Sequence, residues 1–246
     1  MCTLLAVVPS PGGVLQVAAN RDEFLGRPSL APERWPGVPA VLAPKDAQAG
    51  GTWLGVNAHR LFVAVTNRHG AERDSRLASR GQLVADAQRE ASVEALQRKL
   101  AALGPRTYNP FHLFYADAAG RAGLTVCDGT AVSQHWLSAG LHVLTERSFG
   151  AGDDGARSAR ARSALAEGGG RLSLQEWGTV LRAHSVQQPR DGTCIHAPEV
   201  GYGTRSSFLL QLTADCSDDR CAWTEGPPCT SAFLDGSRLL KEVLGC

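Results

Sequence analysis

Two apolar runs separated by a turn open the chain. Residues 2–8 (CTLLAVV) and 14–20 (VLQVAAN) flank the turn-former-rich stretch 9–13 (PSPGG), the pattern of two buried strands joined as a hairpin. The polar run Asn20-Arg21-Asp22-Glu23 closes the second strand, so the hairpin carries it back beside Cys2. Residues 24–50, rich in Pro and Gly, read as an extended loop with a short strand at Ala40–Ala43. Residues 52–57 and 61–67 read as a second hairpin over Ala58-His59-Arg60, followed by a charged loop over 69–80. A helix is expected from about Gln82 to Glu90. Another starts at an N-cap Ser92, with Val93, Leu96, Leu100 and Leu103 on one stripe and Gly104-Pro105 as its stop. Strands at about 111–117, 123–127, 131–136 and 141–145 are spaced as an antiparallel meander. Residues 146–172 read as irregular and partly helical. Ser173-Leu174-Gln175-Glu176 is a capping box ahead of Trp177, Val180 and Leu181. A strand at 207–213 and a final helix near 231–244 complete the pattern. Strands, helices, strands, helix, strand, helix, without βαβ alternation, make an α+β protein, expected as one domain over 1–246.

Composition narrows the functional classes. With 25 Lys and Arg against 24 Asp and Glu, the net charge of +1 offers nothing to nucleic acid or to an anionic membrane. No run approaches the ~20 apolar residues of a membrane span, and the start lacks a basic region ahead of its apolar run. A cytoplasmic location without a membrane span is the expectation, with the oligomeric state left open. Seven cysteines are an odd number for a fully paired framework. Cys194-x-His196 and Cys216-x4-Cys221-x7-Cys229 lack paired CxxC elements, so no metal and no cofactor is expected. A Cys216–Cys221 disulfide stays open if the Cα atoms lie within about 7 Å. Asp153-Asp154 and Asp218-Asp219 read as solvated loop acids. No P-loop, GxGxxG, GxSxG or HExxH motif occurs.

The candidate chemistry gathers at strand ends. Removal of Met1, which a small second residue permits, would leave Cys2 with a thiol and an α-amine on one residue. With pKa values near ~8 for the amine and ~8.5 for the thiol, the amine can serve as base for its own nucleophile. Arg21 would favour the thiolate and Asp22 could orient the amine; alternatively Cys2 is a small strand residue and NRDE a polar strand end. Asn67, closing the strand before Arg68, could donate to an oxyanion or simply end a strand. Arg205, in Tyr202-Gly203-Thr204-Arg205-Ser206-Ser207, either faces a pocket or pairs with a surface carboxylate.

These segments, with Gly51-Thr52-Trp53-Leu54-Gly55-Val56-Asn57, Thr66-Asn67 and Ser79-Arg80-Gly81, occur in an order that resembles the NRDE family, also called the transport and Golgi organization 2 family. The resemblance spans about residues 1–213. It implies an Ntn-hydrolase-like αββα sandwich in four layers with two antiparallel sheets, and no settled activity. Members are connected with haem handling and with lipid or acyl-CoA metabolism. A more distant similarity to cholylglycine and penicillin V acylases implies catalytic parts for Cys2, Arg21, Asp22, Asn67 and Arg205. Two departures stand out. Arg21 and Asp22 are adjacent, so they should point to opposite faces of a strand. Glu146 follows Thr145 where the acylases keep an Asn, and a bare carboxylate there would repel an oxyanion. Two functions follow from the resemblance: an N-terminal-cysteine amidohydrolase for a small-molecule amide or acyl substrate, or a non-catalytic carrier of haem or an acyl lipid. Cys194-Ile195-His196 is the soft ligand candidate for the haem.

Overall fold

The computed structural model describes residues 2–70, 73–148, 155–185, 188 and 191–246, Cys2 by its backbone alone; the Asp153-Asp154 pair lies outside them. Strands β1 (Cys2–Val8) and β2 (Val14–Phe24) form the expected hairpin. Their near-continuous apolar character has a simple cause: both faces are covered. Leu4, Ala6, Val8, Leu15, Val17 and Ala19 pack in a core between two sheets, while Leu5 and Ala18 pack under helices. β2 runs on through Asn20–Glu23, so NRDE is ladder rather than strand terminus.

The second sheet comprises β3 (Ser29–Trp35), β4 (Val41–Asp46), β5 (Leu54–Asn57), β6 (Phe62–Asn67), β7 (Phe111–Ala116), β8 (Ala122–Cys127) and β9 (Val132–Trp136), each beside its sequence neighbour. β3 corrects the loop expected over 24–50. It is a half-exposed edge strand carrying Pro32 and an irregular register between Leu30 and Glu33, so it has no clean alternation to recognise. The meander also ends sooner than expected. β10 (Gly140–Leu144) leaves it and pairs with β1, Leu4 opposite Leu144.

The first sheet is completed by β11 (His196–Ala197), β12 (Tyr202–Thr213), β13 (Arg220–Thr224) and β14 (Leu234–Asp235), in the order β10-β1-β2-β12-β13-β14 with β11 beside β12. All ladders within both sheets are antiparallel. β12 begins five residues ahead of the strand expected at 207 and absorbs Tyr202–Ser206.

Helices α1 (Arg80–Ala87) and α2 (Val93–Leu100) cover the outer face of the second sheet through Leu83, Val84, Val93 and Leu96. Ser92 caps α2 as expected, accepting from Ala95 N at 3.1 Å. Helices α3 (Gly155–Glu167) and α4 (Leu174–Leu181) cover the first sheet through Ala161, Trp177, Val180 and Leu181. The Ser173–Glu176 capping box is complete. Helix α5 (Ser237–Leu244) adds Leu240 and Val243 to the core between the sheets. The fold is thus the α+β sandwich, two antiparallel sheets between helix layers.

One close approach positions the loop ahead of β5. Gly51 has φ +70°, and a Cβ there would lie 2.4 Å from the Gly81 carbonyl carbon at the start of α1. Thr52 N donates to Gly81 O at 3.1 Å, which gives the glycines of Gly51-Thr52-Trp53 and Ser79-Arg80-Gly81 a shared steric origin. Gly51→Ala is expected to cost about 2–4 kcal/mol, from left-handed strain plus overpacking. Gly70→Ala, at φ +97° with nothing within 4 Å of its Cβ, should cost about 1–2 kcal/mol from strain alone. Urea denaturation of both variants measures the difference; equal losses would contradict the close approach.

Candidate active site

The ladder brings the polar strand ends together. Cys2 lies opposite Arg21, and Thr3 opposite Asn20. Across β2, Asp22 opposes Thr204 and Arg21 opposes Ser206, with Arg205 at the register shift between them. Arg21 and Asp22 fall on opposite faces, as period-two geometry requires. Arg21 continues the inter-sheet row of Val17 and Ala19, and Asp22 continues the helix-side row of Ala18 and Asn20.

Arg21 is 4% exposed. Its guanidinium stacks 4.3 Å over the Trp53 ring, and its Nη2 lies 3.9 Å from Asp46 Oδ2. Burial works against ionisation of Asp46, but hydrogen bonds from Arg27 and from the amides of Ala49 and Gln48 outweigh it and hold that carboxyl below its ordinary value. Arg27 donates to Asp46 Oδ2 through Nε at 2.9 Å and Nη2 at 2.6 Å. Arg21 is therefore fixed by an aromatic face and a second-row carboxylate, a geometry that suits a planar guanidinium.

Asp22 is buried on the other face. Thr204 Oγ1 donates to its Oδ1 at 2.6 Å, and Tyr202 OH donates to its backbone carbonyl at 2.8 Å. Burial pushes its carboxyl up to about 7, with the Thr204 hydrogen bond and the Arg157 charge acting in the opposite direction. The neighbouring Asn20 donates through Nδ2 to Leu181 O at 3.0 Å and Thr193 O at 2.6 Å, and accepts from Ser207 Oγ at 2.5 Å. That network ties β2 to the end of α4 and to β12.

The raised value of Asp22 has a thermodynamic consequence. Between its ordinary 3.8 and about 7 the folded chain binds more proton than the unfolded chain, so this group's contribution to stability falls as pH rises through that window. Asp22→Asn should flatten that part of the stability–pH curve. Urea midpoints at pH 5 and pH 8 measure it: the wild-type chain should lose more between them than the variant, and parallel losses would contradict the assignment.

A cleft of about 510 Å³ opens beside this ladder, lined among others by Arg21, Asp22, Trp53, Asn67, Asn109 and Tyr202. Asn67 ends β6 opposite Phe111. Five lining arginines (21, 27, 68, 73 and 80) exceed the three carboxylates (Asp22, Glu23 and Asp74), a balance that favours anionic ligands. Arg205 does not line this cleft. It borders a separate cavity of about 130 Å³ with Phe208, Trp223 and Glu225, and Trp53 forms part of both walls.

Glu146 resolves differently from its isolated appearance in the sequence. It is 2% exposed, and its Oε2 meets Arg157 Nη1 at 3.2 Å. The same Nη1 donates to Thr3 Oγ1 at 3.4 Å. A guanidinium from α3 thus faces the carboxylate directly behind the first strand. Arg157 has no signal in the sequence, because its stretch shows no strong periodicity; at 3% exposed it is the one arginine that α3 turns fully inward.

The family profile described as Transport and Golgi organisation 2 matches residues 1–221. This chain belongs to that family. The bovine Transport and Golgi organization protein 2 homolog is 35% identical over 118 residues, 46% of this chain and 42% of the relative. The match therefore spans less than half the length of that curated relative. Among solved structures, a variant of the conjugated bile acid hydrolase from Clostridium perfringens superposes with a TM-score of 0.61 at 12% identity, covering 96% of this chain and 93% of the other. Penicillin V acylase from Agrobacterium tumefaciens superposes with a TM-score of 0.51 at 13% identity, covering 96% and 86%. At such identities the likeness establishes the fold, which for this Transport and Golgi organisation 2 chain is the Ntn-hydrolase fold. Among the described residues, no helix is long and apolar enough to cross a membrane.

Proposed function

We propose that, once Met1 is removed, this chain hydrolyses an amide or related acyl bond with Cys2 as its nucleophile. The observation that carries the reading is the ladder pairing of Cys2 with Arg21 at the head of an arginine-lined cleft. The fold it shares with a bile acid hydrolase and a penicillin V acylase supports the reaction class. In this account the α-amine takes the thiol proton and Sγ attacks the carbonyl carbon. Asn67 donates to the oxyanion. The amine leaves with the proton held by the α-ammonium, leaving a thioester on Cys2. Water, deprotonated by the α-amine, cleaves the thioester, releasing the carboxylic acid and restoring the thiol. Arg21 favours the thiolate, and Asp22 holds the α-ammonium. Arg205, on the far side of Trp53, acts through that wall as a positioning residue. The arginine excess points to substrates with an anionic group, and the Arg157 counter-charge on Glu146 removes the objection of a bare carboxylate.

The experiment is amine release from a panel of N-acyl amides, with and without a carboxylate on the leaving amine, by protein whose intact mass lacks Met1. Turnover, faster for the anionic members, is expected. No turnover of any member, with an acyl lipid bound equally by wild type and Cys2→Ala, would replace the hydrolase with the carrier. Cys194 and His196, the soft ligands named for haem, do not line this cleft.

A further inference from the structure

The cysteine and histidine spacings offer no metal motif, yet the fold draws four of these residues together. Ligand atoms of His184, Cys194, His196 and Cys229 all lie within 4.8 Å of one another. Three separate elements deliver them. His184 follows α4. Cys194 lies two residues ahead of β11 and His196 opens it, paired with Gly203 of β12. Cys229 sits in the loop after β13, which Arg182 Nε docks against the end of α4 by donating to Pro228 O at 2.9 Å.

We propose that these four side chains form a tetrahedral Cys2His2 site for a zinc ion, outside the cleft and independent of the hydrolase reading. The distances carry it. A tetrahedral zinc with Zn–S bonds of about 2.3 Å and Zn–N bonds of about 2.0–2.1 Å has edges of about 3.8 Å between sulfurs and about 3.6 Å between sulfur and nitrogen. Here Cys194 Sγ and Cys229 Sγ are 3.8 Å apart, and His196 Nε2 lies 3.4 Å from the first and 3.3 Å from the second. His184 stacks beside His196 with ring centroids 4.8 Å apart. Its Nδ1 lies 3.2 Å from the Cys194 carbonyl oxygen; a ring N–H donated to a carbonyl is the usual companion of a histidine that ligates a metal through its other nitrogen. Cys194 is buried while both histidines are exposed, so the site has a packed floor and an open side for entry.

A second cluster shows what an alternative without a metal looks like. Cys216, Asp219 and Cys246 also converge, but Arg60 Nη1 sits among them, 2.9 Å from Cys216 Sγ and 2.6 Å from Asp219 Oδ2. A guanidinium fills the cationic place there; among the described residues none reaches the sulfurs of Cys194 and Cys229. The zinc would also brace the candidate active site. Ile195, between two ligands, donates its N–H to Thr204 Oγ1 at 2.8 Å, and that hydroxyl donates to Asp22.

The test is metal content of the full chain purified under reducing conditions with zinc supplied, then dialysed. One zinc per chain is expected, falling below one tenth in Cys229→Ser and in His196→Gln, and unchanged in Cys216→Ser. Because a variant can lose zinc by unfolding, the wild-type chain is also stripped and titrated with Co2+. Intense visible d–d bands with a thiolate charge-transfer band, saturating at one equivalent, support a tetrahedral thiolate site. No retained zinc together with no such bands would overturn the proposal. So would zinc retained equally by Cys229→Ser, or a Cys194–Cys229 disulfide that, once reduced, still takes up no metal.

Discussion

Replacing Arg157 with leucine is expected to destabilise the fold by about 3–5 kcal/mol, because it takes from the buried Glu146 carboxylate its closer, buried partner and leaves the longer 3.9 Å pair with the partly exposed Arg147. Both side chains are nearly inaccessible, at 3% and 2% exposed, and the guanidinium bridges the carboxylate and Thr3 on β1. Bringing both ions out of water is costly, and their attraction offsets that cost only while both are present. Glu146→Leu combined with Arg157→Leu should therefore recover most of the lost stability, since an apolar pair of this kind is often neutral relative to the ion pair. Urea midpoints for the two single variants and the double variant form the cycle. Additive losses would mean that the two groups are not coupled and that α3 is held by other contacts.

The pair also marks where the sequence stops being legible. The first hairpin, the Ser92 cap and the Ser173–Glu176 box were readable because their signals are local: apolar runs covered on both faces, and side chains that satisfy the helix's first amides. The opposite facing of Arg21 and Asp22 followed from strand period alone. β3 is not legible because an edge strand half open to solvent carries no alternation; β10 is legible as a strand, but its departure from the meander to pair with β1 is not written in its own five residues. Arg157 and Glu146 meet through the way α3 lies on the first sheet. For Arg205 the sequence leaves a pocket or a surface carboxylate open; it sits at the register shift of β12 and borders the smaller cavity, which shares Trp53 with the cleft. The cluster at Cys194 depends on three elements that are distant in the chain, a convergence that no spacing rule registers.

Cys2→Ala carries the largest functional expectation: loss of amide hydrolysis by at least about 10³-fold, with the fold intact, since no other group replaces a nucleophile in covalent catalysis. Cys2→Ser should retain a trace of the activity, as a hydroxyl is a weaker nucleophile near neutral pH. Arg21→Met should be less severe. It keeps the apolar contact with Trp53 but removes the cation that favours thiolate, so its activity should recover as pH is raised. A loss in Arg21→Met that is the same at every pH would point to a packing role. These measurements use whichever member of the N-acyl amide panel is turned over, with circular dichroism to confirm folding.

The central claim is the reactivity of one sulfur, and site-resolved alkylation measures it without knowledge of a substrate. Burial pushes the thiols of Cys194 and Cys221 up to about 12, so in metal-free protein they should react slowly with iodoacetamide. Cys2, beside its own α-ammonium and Arg21, should be largely thiolate near pH 7. With Met1 shown to be absent by intact mass, Cys2 is predicted to alkylate before the other six cysteines. A Cys2 that reacts no faster than Cys221 would contradict the nucleophile.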